Sequence, residues 1–212
     1  MLDFALKVVV AYLLGSLLGG LIIGKLRGGV DIRTLGSGNA GGTNALRTQG
    51  PWFALGVMVV DVGKGWLAAA WLPSLELLGS PVQSEWLPIA CAAAAVLGHV
   101  YPIWFGFRGG KGAATLIGTV LGIQPWAAIP TLIMWLAVLL LTGYVGLATM
   151  IATAAFPIYI ALTTQSPPLM AFGLAMTALV IYTHRGNIGR MRTGTENRSQ
   201  RLWLLRPRSR TS

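Results

Sequence analysis

The chain has 212 residues, of which 54% are hydrophobic and 10% charged, with a formal net charge of +10 and a mean hydropathy of +0.67. Water-soluble domains carry about 25% charged residues, so this composition excludes an ordinary soluble globular protein and points to a polytopic membrane helix bundle. The basic charge does not indicate nucleic acid: no Lys or Arg falls between Gly65 and Phe107 or between Gly112 and His184, whereas a nucleic-acid binder needs a continuous basic face.

In chain order, apolar runs read as spans at Phe4–Gly24, Trp52–Leu72, Leu87–Phe105, Val145–Thr163 and Leu169–Thr183. The first has a long apolar run flanked by Lys25, Arg27 and Arg33, so it is expected to stay in the membrane and not to be cleaved as a signal. Gly15, Gly19, Ser16, Gly20 and Gly24 recur on it at four-residue spacing, a small-residue face for close helix packing. The stretch Ala113–Thr142 is interrupted by Gln124-Pro125 and reads either as one tilted helix or as two short ones.

Charge decides between these. The loop cations sit at Lys25 to Arg47, at Arg108 and Lys111, and at Arg185 to Arg210. Cations mark the cytoplasmic side, and placing all three groups inside requires two crossings over Ala113–Thr142. The expectation is seven transmembrane helices in an all-α bundle, the fourth short, with the N-terminus periplasmic and the C-terminus cytoplasmic. Glu76 and Glu85 then lie in an outside loop. Residues 1–196 read as one domain and 197–212 as a basic cytoplasmic tail. Cys91 has no second cysteine to pair with.

Three cytoplasmic loops hold the chemistry. The first, Leu35 to Arg47, places Gly36, Gly38, Gly41 and Gly42 beside Ser37, Asn39, Thr43, Asn44 and Arg47. Its Gly36-x-Gly38-x-x-Gly41 match to a dinucleotide fingerprint is a decoy, because no strand precedes it. Exposed glycine N–H groups form anion-binding concavities, and arginine suits bidentate phosphate contacts. The second loop carries His99, Arg108, Gly109, Gly110, Lys111 and Gly112 ahead of a helix, whose N-terminal amides favour an anion. It lacks the spacing of a P-loop. The third carries His184, Arg185, Asn187 and Glu196, with Glu196 expected to pair with an arginine. Inside the second span, Asp61 and Lys64 stand three residues apart and are expected to pair, as supports or as part of the site.

These motifs together resemble the bacterial acyl-phosphate:glycerol-3-phosphate acyltransferases, the PlsY family. The resemblance rests on Gly36-Ser37-Gly38-Asn39 with Gly42-Thr43-Asn44, on Asp61-x-x-Lys64-Gly65, on Gly98-His99-x-x-Pro102 with Gly109-Gly110-Lys111-Gly112-Ala113-Ala114-Thr115, and on His184-Arg185-x-Asn187-Ile188-x-Arg190 with Gly194-x-Glu196. It implies acyl transfer from acyl phosphate to the sn-1 hydroxyl of glycerol 3-phosphate, giving lysophosphatidate and phosphate. It also implies the inner membrane, a cytoplasmic active site, no cofactor, and contacts with other enzymes of phospholipid synthesis. Ser37, Arg47, Lys111, His184 and Asn187 would line the substrate site, and the glycine loop through Asn44 would hold phosphate. Gly146 stands where the family usually has a serine.

The rival from another class is a transporter of an anionic solute, which would centre its site at mid-membrane between repeated halves. A His-x4-Asp acyltransferase is excluded because neither His99 nor His184 has an Asp at that spacing. The CDP-alcohol transferases need clustered acids for metal ions, and the six acids here are scattered.

Overall fold

The computed structural model describes residues 1–78, 84–200 and 202–205, and all regular elements there are helical. The outside loop expected around Glu76 and Glu85 falls partly on 79–83, and the far end of the basic tail on 206–212, both outside the described residues.

Helix α1 (Leu2–Gly15) and α2 (Gly19–Leu26) are followed by a glycine-rich loop and the short α3 (Gly42–Gln49). Then α4 (Pro51–Trp66), opened by Pro51, runs through a π-helical stretch (Leu67–Trp71) into α5 (Leu72–Ser74). Next come α6 (Trp86–Val100), α7 (Ala113–Ile123), α8 (Ala128–Thr142), α9 (Val145–Thr163), α10 (Pro167–Thr183) and α11 (Arg185–Arg192). The break expected at Gln124-Pro125 is present, as a 3-10 turn over Pro125–Ala127 between α7 and α8.

Among the described residues, four helical segments are long and apolar enough to cross a bilayer: Pro51–Ser74, Trp86–Phe105, Pro125–Thr142 and Val145–Thr163. Counting each of two bent pairs, Leu2–Gly15 with Gly19–Leu26 and Pro167–Thr183 with Arg185–Arg192, as one span raises the number among these residues to six. Helix α8 turns Ile129, Leu132, Ile133, Leu136 and Leu141 outward. Such a surface belongs against lipid, because water would leave a large apolar patch exposed.

The first span is not the continuous helix that its hydropathy suggests. It breaks over Ser16–Leu18 and bends by 50°. A break frees backbone groups that lipid cannot satisfy, and two charged side chains of α4 take them. The Asp61 carboxylate accepts the Gly19 N–H at 3.0 Å, and the Lys64 ammonium donates to Leu17 O at 2.7 Å. Asp61 and Lys64 also pair at 2.8 Å, and Lys64 donates to His99 Nδ1 at 2.9 Å. This buried cluster therefore caps a helix end from outside, its carboxylate at the positive N-terminus of α2.

A second intramembrane pair, Lys7 with Asp3 at 2.8 Å, lies in α1 and was not singled out from the sequence. Its signal is there, an Asp and a Lys four residues apart in an apolar helix. Lys7 is fully buried and also donates to Pro73 O.

Small residues set the helix spacing. A Cβ on Gly15 would stand 2.1 Å from Ala95 O of α6, and one on Gly98 2.2 Å from Tyr12 O of α1. Likewise Gly118 of α7 meets Val62 O of α4 at 2.0 Å. Gly118→Ala must push α7 off α4, and overpacking of this kind costs roughly 1–3 kcal/mol. A lower midpoint in denaturant-induced unfolding in lipid, with wild-type behaviour for Gly63→Ala where a Cβ meets open space, is the expected result.

Candidate active site

The first loop is built around one side chain. Asn44, at the start of α3, donates through Nδ2 to the carbonyls of Ile32, Leu35 and Asn39, and its Oδ1 accepts from Ser37 N–H at 2.9 Å. Asn44 is buried and its amide is spent, so it shapes the loop and has nothing left to donate to a phosphate. Asn44 also lines the larger hollow described below. Gly36 and Gly38 adopt φ +56° and +72°, the left-handed region that glycine enters without strain. The turn they allow brings Ser37, Gly38 and Asn39 to the rim of the site.

The second loop is tied down in the same way. Gly109 N–H donates to Val100 O and Gly110 N–H to His99 O, so these two amides are used in holding the loop to the end of α6. Both glycines also line the smaller hollow described below. Gly110 lies against the His99 ring, where a Cβ would come within 2.1 Å of Nε2. Arg33 is paired with Asp31 and donates to Arg108 O at 3.2 Å, joining the first loop to the second. The Arg108 side chain is exposed and lines neither of the hollows described below.

The third loop completes the set. Lys111 Nζ donates to Asn187 Oδ1. Asn187 Nδ2 donates to Glu196 Oε1 at 2.8 Å, and Arg190 Nε donates to Glu196 Oε2 at 2.7 Å. Glu196 thus has the arginine partner expected of it and also orients Asn187. The backbone of Lys111 is held separately, its carbonyl accepting from Thr183 Oγ1 at 3.1 Å. His184 Nδ1 bonds Val180 O at 2.8 Å. A carbonyl only accepts, so Nδ1 carries the proton, and Nε2 of the neutral ring is an acceptor.

Two hollows meet at these loops. The larger, about 730 Å³, has a polar mouth formed by Ser37, Asn39, Gly41, Gly42, Thr43, Asn44 and Arg47 of the first loop and α3. Lys111, Gly112, His184, Asn187, Arg190 and Glu196 complete that mouth, and Asp61 and His99 also reach the wall. Below the mouth the walls are apolar, with Met58, Ile117, Leu132, Trp135, Phe156 and Phe172 among them. The smaller hollow, about 320 Å³, is lined by Gly38, Gly109, Gly110, Tyr182 and Arg185 among others. Ser37, Asn39 and Lys111 line both. Arg190 belongs to the motif that carries the resemblance but not to the site residues expected from it; its position as the second arginine of the third loop, six residues before Glu196, is the signal that could have found it.

Gly146 faces Asn187, and a Cβ there would stand 3.0 Å from Nδ2. Thr149, one helical turn on, accepts from Trp135 Nε1 and donates to Val145 O, so its hydroxyl braces the wall.

Burial pushes the Lys111 ammonium down to about 8, with Arg190 and Arg47 adding repulsion and Glu196 opposing them. Burial, with the Lys111 charge second, pushes His184 down to about 4. Lys111 is thus a cation at neutral pH and His184 is neutral. Lys111 loses its charge as pH rises through its pKa, so kcat/KM, which reports the free enzyme, is expected to fall above about pH 8. Lys111→Arg should move that limb to higher pH, since a guanidinium stays charged.

Fold and site together define a multi-pass membrane protein with a cation-lined mouth over a deep apolar hollow. Comparison with known proteins agrees on residues 5–194, which match the family described as glycerol-3-phosphate acyltransferase. A glycerol-3-phosphate acyltransferase of Synechococcus sp. (strain JA-2-3B'a(2-13)) is 41% identical over 98% of this chain and 100% of its own length. One of Aquifex aeolicus is 39% identical over 90% and 96%. The crystal structure of PlsY (YgiH), an integral membrane glycerol 3-phosphate acyltransferase, in its glycerol 3-phosphate form superposes with a TM-score of 0.82 at 37% identity, covering 92% of this chain and 94% of that one. Its lysophosphatidic acid form gives 0.80 at 36%. The chain belongs to the glycerol-3-phosphate acyltransferase family.

Proposed function

We propose that the protein transfers the acyl group of an acyl phosphate to the sn-1 hydroxyl of glycerol 3-phosphate at the cytoplasmic face of a bacterial inner membrane. The observation that carries this is the position of Lys111, which lines a deep apolar hollow and a small polar one at once. An acyl phosphate is an amphiphile that needs both an apolar slot and a cationic mouth. Glycerol 3-phosphate needs only the cationic end.

The chemistry asks for positioning and charge stabilisation rather than a protein nucleophile. The acceptor oxygen bonds to the acyl carbon, the bond from that carbon to the phosphate oxygen breaks, and the phosphate leaves. Lys111, Arg47 and Arg190 offset the charge of the two phosphates, Ser37 and Asn39 place polar atoms at the rim, and Asn187 holds Lys111. The proton of the acceptor hydroxyl passes to a phosphate oxygen of the donor. A ring held near 4 is a weak base, which argues against His184 in that part. His184→Gln separates the two: turnover kept at saturating substrate assigns the proton to the substrate, and a collapse of kcat alone assigns it to His184.

The same reading takes the four long apolar segments, the bent pair Leu2–Gly15 with Gly19–Leu26, the helix Pro167–Thr183 and the 11-residue Ala113–Ile123 as seven crossings, with Arg185–Arg192 beyond the last of them. The loop cations then lie in the cytoplasm and the N-terminus in the periplasm. Residues 1–196 form the catalytic domain and 197–212 a basic tail, and neighbouring enzymes of phospholipid synthesis are partners. The donor is tested by giving purified protein glycerol 3-phosphate with palmitoyl phosphate or with palmitoyl-CoA. Lysophosphatidate from the phosphate alone is the expected result, and transfer from the thioester would overturn it.

A further inference from the structure

The family match ends at residue 194, yet the chain beyond it is not a free tail. Ser199 N–H donates to Gly143 O at 2.7 Å, Leu204 N–H to Leu140 O at 2.9 Å, and Trp203 Nε1 to Leu141 O at 3.1 Å. Those carbonyls belong to the last turn of α8 and the residue after it, where a helix leaves its C=O groups without partners. The Arg198 guanidinium stacks between the Tyr144 ring at 4.5 Å and the Trp203 ring at 4.2 Å. Gly143 makes room for this, since a Cβ there would meet Trp203 at 3.1 Å.

The docked segment reaches the site. Ser199 and Leu202 both line the larger hollow. The hollow also opens sideways: Leu46 and Leu55 on the α3–α4 side, and Leu132 and Leu202 on the other, line it while remaining substantially exposed. Leu132 stands on α8, whose outer face is apolar and uncovered.

We propose that the docked residues Asn197–Gln200 and Leu202–Leu204 form a strap that is part of the acyl-donor site, closing the α8 side of the lateral mouth so that Leu202 packs on the acyl chain near its phosphate end. The inference rests on the transferase reading above. Arg198 is a positioning residue in it, holding the strap without lining the hollow.

The test is steady-state kinetics of the full-length protein in lipid with palmitoyl phosphate and glycerol 3-phosphate, comparing wild type with Leu202→Ala, Arg198→Ala and Leu205→Ala. Loss of a partly exposed leucine contact predicts a roughly threefold to tenfold rise in the KM for palmitoyl phosphate. The same rise is expected for Arg198→Ala, with kcat and the KM for glycerol 3-phosphate unchanged in both. Leu205, exposed and off the hollow, should behave as wild type. A strap with only a structural part would lower the active fraction, hence kcat, and leave both KM values alone; that result would overturn the inference. Unaltered kinetics in both variants would overturn it as well. An inactive wild type would instead bring down the transferase reading itself, and the strap inference with it.

Discussion

Lys111→Ala is expected to lower kcat/KM by roughly 10²–10³, the effect of deleting one preorganised charge-stabilising donor, while leaving the protein folded. Two facts separate its chemistry from its structure. The Lys111 carbonyl is held by Thr183 Oγ1, a bond that truncation of the side chain leaves intact. The neighbouring Asn187–Glu196–Arg190 chain is complete without Lys111 Nζ. Unfolding midpoints of the variant and the wild type should therefore agree. Activity within about threefold of wild type would mean that Arg47 and Arg190 suffice, and would remove Lys111 from its central place.

The largest expected effect on stability is at Asp61. Removing one partner of a buried ion pair leaves an uncompensated charge and costs about 3–5 kcal/mol. Asp61→Leu strands the Lys64 ammonium and the Gly19 N–H together, because both bond to the same carboxylate oxygen. The broken first helix loses its cap at the same moment. The double variant Asp61→Leu/Lys64→Met removes both charges and should recover part of the loss, read as a double-mutant coupling in lipid unfolding assays. A single variant as stable as wild type would show that the cluster does not hold the helix break.

Much of this was legible in the sequence. Long apolar runs located the spans, and the break at Gln124-Pro125 and the helix Val145–Thr163 lie where pattern and proline place them. The glycine loops and their cations, singled out because that composition suits an anion, are the ones from which the rims of the two hollows are built. What stayed hidden depends on partners far along the chain. Ser16, Leu17 and Leu18 are ordinary residues for a helix, and their break is held from Asp61 and Lys64 on α4. Asn44 looks like a free donor until its loop folds round it. Gly109 and Gly110 look like an anion cradle until α6 takes their amides. The docking of Trp203 on α8 depends on carbonyls exposed only once that helix ends.

The most direct test of the account is a single reaction followed two ways: purified protein in lipid, palmitoyl phosphate and glycerol 3-phosphate, with released phosphate and lysophosphatidate measured together. Equal formation of the two, abolished in the folded Lys111→Ala variant, is the predicted result. Phosphate without lysophosphatidate, or neither product from a demonstrably folded wild type, would contradict it.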